Sequence, residues 1–255
     1  MTKAFNYKKF TFIAAIAFIA LEAALFPLIH LGRGGVDVSA CYLAIILVAL
    51  FALVTLPCAA DKRLHLIRLG IAFTLVADYF LVLADDSELE GVLAFIVVQI
   101  FYAAYLFVRE ERRTVKITSL ALRGALMAGL VVVAFAVLGE STDPLAIASV
   151  IYYGNLVISC VFAFLLGREE RIFAIGLLLF SMCDIWIGLE VLFSSYLGSD
   201  LMDFVYNANY NLPWVFYQPS QVLIALRLCR CKMWNAECGI KDEAQTVGRG
   251  LAPVG

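Results

Sequence analysis

Eight continuous apolar stretches dictate what this chain can become. They fall near 10–31, 40–60, 64–84, 91–108, 118–138, 145–166, 171–193 and 211–229. A helix rising 1.5 Å per residue needs about 20 residues to cross a hydrocarbon core of ~30 Å. Backbone polar groups in lipid must be satisfied within the element, so unbroken runs of this length are helices; a membrane barrel would show short alternating segments. Charged residues make up 16% of the chain, against roughly 25% in soluble domains, and the mean hydropathy is +0.92. The expected fold is therefore an all-α polytopic integral membrane protein. A bundle of eight transmembrane helices fills residues 1–229, and a polar tail follows over 230–255.

Basic residues set the orientation. Lys3, Lys8, Lys9, Lys62, Arg63, Arg68, Arg109, Arg112, Arg113, Lys116, Arg123, Arg168, Arg171, Arg227, Arg230, Lys232, Lys241 and Arg249 fall on one side of this segmentation, and only Arg33 on the other. Both termini are expected in the cytoplasm, the membrane being the cell membrane if the host is a bacterium. The outer loops are acidic, with Asp85, Asp86, Glu88, Glu90, Glu140, Asp143, Asp200 and Asp203. The first span exceeds the 7–15 apolar residues of a signal peptide and no small-x-small site follows it, so it is expected to be retained. Cys41, Cys58, Cys160 and Cys183 lie in or beside spans, and Cys229, Cys231 and Cys238 in the reducing cytoplasm; this is no disulfide framework. Cys229 and Cys231 with Cys238 lack a fourth ligand for zinc, and no metal or cofactor is expected.

Within the apolar runs stand two carboxylates. Asp78 and Asp184 each lie eight residues after a glycine, Gly70 and Gly176, in the third and seventh spans. A charge at mid-membrane costs roughly 2.5–3.5 kcal/mol on insertion scales, and such residues mark functional sites. Glu22, Gln99, Asn155 and Gln218 fall at similar depth, with Tyr102 and Tyr153 within about a turn. Single amides also serve as interhelical glue worth about 0.6 kcal/mol, so their role stays open between packing and function. The likeness of spans three and seven, with Gln and Tyr in the fourth and eighth, suggests a parallel duplication of four helices about an axis along the membrane normal.

Missing motifs narrow the chemistry. His30 and His65 are the only histidines and fit no zinc pattern. There is no G-x-S-x-G elbow and no phosphate-binding glycine loop. What remains is a carboxylate pair, in which a protonated carboxyl can act as general acid and an ionised one as base. Mid-membrane carboxylates in a duplicated bundle also suit a proton-coupled transporter, and a non-catalytic lipid-binding protein is a third alternative. Nothing points to nucleic acid, and the oligomeric state is not legible.

The motifs resemble those of the YhhN-like lysoplasmalogenase family. The match runs from about residue 60 to 228: Val76-Ala77-Asp78, an acidic loop, Gly91, Ala94-Phe95, Gln99 and Tyr102, then Leu179-Phe180 and Cys183-Asp184, and finally Tyr217 and Gln221. Three positions depart from the pattern. Ala77 replaces a glycine, Gln99 replaces a histidine and so cannot carry a proton, and no Lys-Pro opens the second helix near Ser39-Ala40. The resemblance implies an eight-helix hydrolase that takes a lysoplasmalogen from the bilayer and cleaves its vinyl ether to a fatty aldehyde and a glycerophospho-alcohol. It implies Asp78 and Asp184 as the catalytic pair. Gln99, Tyr102, Gln221, Tyr217, Glu22 and Asn155 would position substrate or water, with the alkenyl tail between helices and the head group toward the outer half.

Overall fold

The computed structural model describes residues 7–32, 35–56, 61–84, 87–192 and 211–229. The acidic positions Asp85, Asp86, Asp200 and Asp203, the thiols Cys58, Cys231 and Cys238, and the tail 230–255 lie outside the described residues. The helices are α1 (Tyr7–Leu31), α2 (Val36–Val54), α3 (Leu64–Asp78), α4 (Glu88–Arg109), α5 (Arg113–Leu138), α6 (Pro144–Leu165), α7 (Arg171–Leu192) and α8 (Leu212–Leu226). No strand occurs among the described residues. Seven of the eight helices are long and apolar enough to cross a membrane, and the chain is an all-α polytopic membrane protein. The eighth, at 15 residues, covers about 22 Å as an α-helix and is continued by a 3-10 turn, Arg227–Cys229.

Local chemistry sets the helix ends. Asp143 caps α6 by accepting from the Ala146 N–H at 2.7 Å, and Pro144 fills the first turn, where an N–H would be unsatisfied. The second apolar run reads to 60 in sequence, yet α2 stops at Val54. Thr55 folds its hydroxyl back onto the Ala52 carbonyl at 3.0 Å. Arg68 of α3 then takes the buried helix-end carbonyls of Ala52 and Thr55 at 3.1 and 3.0 Å, as a basic side chain does at a helix C-terminus. Arg68, 8% exposed, is thus a buried cap. α3 ends in a π turn, Tyr79–Leu83, closed by the Ala84 N–H on the Tyr79 carbonyl. Asp78 is the last residue before it, a position where such bulges re-aim side chains at functional sites.

Neighbours in sequence pack in space from α1 to α4, then α4 meets α6, α6 meets α7, and α7 meets α8. The eighth helix closes the bundle against α1, α2 and α3, while α5 packs chiefly on α6. The two tightest pairs, α3 with α4 and α7 with α8, are built alike. A Cβ on Gly70 would lie 2.3 Å from the Tyr102 ring, and one on Gly176 would lie 2.8 Å from the Ile224 side chain and 3.1 Å from the Ser220 carbonyl. Small residues let membrane helices approach this closely. In each pair the glycine stands eight residues before an aspartate, and the residue it receives stands three after a glutamine, Gln99 or Gln221. This common register is what a duplication of the two helix pairs would leave.

Candidate functional site

Asp78 and Asp184 are each held by a tyrosine from another helix. The Tyr217 hydroxyl of α8 donates to Asp78 Oδ2 at 2.6 Å, and the Tyr152 hydroxyl of α6 donates to Asp184 Oδ2 at 2.7 Å. Both distances fall at the short end of the O–H···O range. Asp78 is 3% exposed, and Asp184 is half-buried. Both carboxylates lie within electrostatic reach of Cys183 and of Tyr152, which places them around one centre.

An aromatic cluster joins the two tyrosines. Phe95 of α4 packs on Tyr152 at 5.7 Å, on Phe180 at 5.5 Å and on Tyr217 at 6.4 Å. Phe180 meets Tyr217 at 5.3 Å, and Trp214 closes edge-on over Tyr217 at 5.0 Å. These ring separations suit tilted and edge-to-face packing. The site is therefore a pair of tyrosine-bound carboxylates in an apolar, aromatic setting, where polar contacts are stronger than in water.

One turn beyond this layer lie the amides. Phe95 and Tyr217 share a level, so Gln99 and Gln221, four residues on, share the next. Both are buried, and among the described residues neither polar atom of Gln99 finds a hydrogen-bond partner, nor does Oε1 of Gln221. Tyr102 is fully buried beside Thr74. Orphaned buried amides are uncommon in folded proteins and call for a reason. Glu22 stands apart on α1, accepting from Gln218 Nε2 at 2.8 Å, and the same amide nitrogen also bonds the Glu22 carbonyl at 2.8 Å.

Two arrangements differ from the sequence reading. Arg123, placed there with the cytoplasmic basic residues, is 7% exposed and lies ten residues inside α5. Its Nη1 donates to the Asn155 carbonyl at 3.1 Å and to Ser159 Oγ at 3.0 Å, and it also meets Asn155 Oδ1. Asn155, read as a positioning residue, is thus occupied by Arg123. Tyr152 was passed over in favour of its neighbour Tyr153. The signal existed: Tyr152, Leu156, Ser159 and Ala163 recur at helical spacing, and all four are buried, whereas Tyr153 is half-buried.

At the end of the bundle where α4 and α8 finish sits a buried ionic cluster that the sequence reading did not assemble. Gly167 adopts φ 91, which glycine tolerates without strain, and the turn it opens delivers Glu170. The Glu170 carboxylate accepts from Arg227 Nε and Nη2 at 2.8 and 2.7 Å, from Arg109 Nε at 2.9 Å, and from the Tyr105 hydroxyl at 2.8 Å. Burial alone would push the Glu170 carboxyl up; the two arginines and Tyr105 outweigh it and hold the group below its ordinary value.

Among the described residues, no three His, Cys, Asp or Glu side chains gather as they would around a metal ion. The fold and these contacts define a multi-helix membrane protein with a paired-carboxylate centre between α3, α6, α7 and α8. The chain belongs to the YhhN family, whose model matches residues 37–228. That match runs from the first turn of α2 to the end of the bundle and leaves α1, with Glu22, outside it. No curated protein and no solved structure matches the chain.

Proposed function

We propose that this chain hydrolyses the vinyl ether of a lysoplasmalogen, releasing a fatty aldehyde and a glycerophospho-alcohol. The observation that carries the reading is the pair Asp78–Tyr217 and Asp184–Tyr152 around one aromatic cluster inside a membrane bundle of this family. An enol ether is inert to bases and is opened by protonation at its β-carbon. Half-buried Asp184 donates that proton, which leaves an oxocarbenium ion across the α-carbon and the ether oxygen. The Asp78 carboxylate stabilises this cation and takes a proton from the water that adds to the α-carbon, giving a hemiacetal. In the collapse, Asp78 returns its proton to the departing glycerol oxygen and the hemiacetal hydroxyl gives its proton to Asp184. One water is consumed and both carboxyls are restored.

The tyrosines fix the carboxylates in place, as positioned acid and base groups require. Tyr102, Gln99 and Gln221 form the polar floor one turn away, where the orphaned amide atoms can hold the water. The aromatic walls keep bulk water from the cation. Aldehyde release from a lysoplasmalogen by the purified protein tests the reading, with Asp78→Asn and Asp184→Asn alongside. Release that falls at least about a hundredfold in both variants, within the 10²–10⁴ that acid–base groups contribute, supports it. Full activity in both variants sinks the mechanism, and no release by the native chain sinks the function.

A further inference from the structure

The guanidinium of Arg123 is the one basic group described within the middle of a helix that is held only by neutral acceptors. Its Nη1 is fixed by the Asn155 carbonyl, Asn155 Oδ1 and Ser159 Oγ, all on α6. Its other edge, Nε with Nη2, makes no hydrogen bond among the described residues and is not sealed away as a buried orphan. This edge is the one arginine uses to take an anion with two parallel bonds. The same protein shows the use twice: Arg227 holds Glu170 through Nε and Nη2 at 2.8 and 2.7 Å, and Arg112 holds Glu110 through the same atoms at 3.0 and 2.9 Å. No carboxylate meets Arg123 among the described residues.

We infer that Arg123, fixed by Asn155 and Ser159, binds the phosphate of a lysophospholipid head group between α5 and α6. Two observations favour a lipid over a free anion. Arg123 lies ten residues into α5, about 15 Å along the helix, and α5 carries exposed Leu120 one turn before it and exposed Leu122, Val132 and Val133 around the rest of the helix, so access is from the bilayer. The distance also suits the substrate, an assignment that rests on the hydrolase reading. Asn155 and Ser159 follow Tyr152 by three and seven residues, roughly 5 and 10 Å along α6. From the ether oxygen of a lysoplasmalogen to phosphorus runs a chain of five bonds, roughly 6 Å at ordinary bond lengths. A phosphate held at Arg123 leaves the vinyl ether beside Tyr152 and Asp184. The head group then lies toward the end of the bundle where α4 and α8 finish, the reverse of the sequence expectation.

The test is ligand-induced thermal stabilisation of the purified full chain in a maltoside detergent, which needs no turnover. The probes are a choline lysophospholipid, a monoacylglycerol of the same chain length, and inorganic phosphate. The native protein is expected to respond to the lysophospholipid at a concentration at least tenfold below that for the monoacylglycerol. Arg123→Gln removes that preference, and Arg123→Lys, which keeps the charge but not the two-pronged edge, retains only part of it. Ser159→Ala, which leaves the guanidinium in place but loosens its mooring, weakens the preference severalfold and keeps the test readable if Arg123→Gln does not fold. Equal response of the native chain to both lipids, or full preference in Arg123→Gln, overturns the assignment. Stabilisation by millimolar inorganic phosphate that competes with the lysophospholipid shows a free-anion site and overturns the lipid half of it. If the chain hydrolyses lysoplasmalogen, Arg123→Gln also closes the gap in KM between the phospholipid substrate and a phosphate-free alkenylglycerol. Failure of hydrolysis leaves the binding result standing alone.

Discussion

Replacing Glu170 by Gln keeps the shape of the side chain and removes its charge. Arg227, 2% exposed with the Tyr105 ring 5.8 Å away, then loses the Glu170 carboxylate charge from its Nε and Nη2. Removing one member of a buried ion pair costs about 3–5 kcal/mol, because the partner's desolvation is no longer offset. Arg109, with a side chain 21% exposed, regains water when released, so the lower end, about 3 kcal/mol, applies. A protein of this size shifts its midpoint by roughly 2–4 °C per kcal/mol, which gives a fall of roughly 6–12 °C for Glu170→Gln in a tryptophan-fluorescence melt in detergent. The double variant Glu170→Leu with Arg227→Met should melt above Glu170→Gln, since replacing both members by apolar groups is often neutral or better. A Glu170→Gln shift of under about 2 °C, or a double variant as unstable as the sum of its singles, refutes the view that this cluster ties α4, α7 and α8 together.

Three further outcomes follow from the geometry. Gly70→Ala should cost about 1–3 kcal/mol, because the new Cβ meets a ring that is itself fully buried against Phe173 at 5.4 Å; Gly124→Ala, with nothing within 4 Å, should not destabilise, and the comparison is read in the same melts. Tyr152→Phe and Tyr217→Phe should each lower aldehyde release by roughly tenfold to a hundredfold, the worth of a hydrogen bond to a charged group, with the fold intact by circular dichroism. Acid should also destabilise the chain. The Arg112 side chain and backbone hold the Glu110 carboxyl down at about 2, and Glu170 is likewise held below its ordinary 4.5. Groups depressed in the folded state contribute fully above their unfolded values, so the part of the melting midpoint that these two carboxylates supply should hold from neutral pH to near 4.5 and be lost below it. Glu110→Gln should flatten part of that fall.

The bundle was legible because lipid leaves the backbone few choices: long apolar runs can only be helices, and the described residues hold eight helices, seven of them long and apolar enough to cross a membrane. The carboxylates were legible for the opposite reason, being costly exceptions inside them. What the sequence could not show was pairing across the bundle. Tyr152 and Tyr153 are adjacent and chemically equal, and only the helical face decides which reaches Asp184. Arg68, Arg123 and Arg227 were counted with one population of cytoplasmic-side charges, because a basic residue near a helix end reads the same whether it faces water, caps a helix or fills a core. Glu170 follows three residues after a glycine in a charged turn, and nothing local says that it folds inward. The glycines eight residues before each aspartate did carry their message, and the close approach at Gly70 and Gly176 gives that spacing its physical reason.

The most direct measurement is hydrolysis of a lysoplasmalogen by the purified chain in heavy water, with the aldehyde trapped at once and weighed by mass spectrometry. Protonation of the β-carbon by a carboxyl that exchanges with solvent must leave one deuterium on the carbon next to the carbonyl, and that label should vanish along with the aldehyde in Asp184→Asn. Aldehyde without the deuterium, or labelled aldehyde at undiminished rate from Asp184→Asn and Asp78→Asn alike, would contradict acid–base cleavage by this pair.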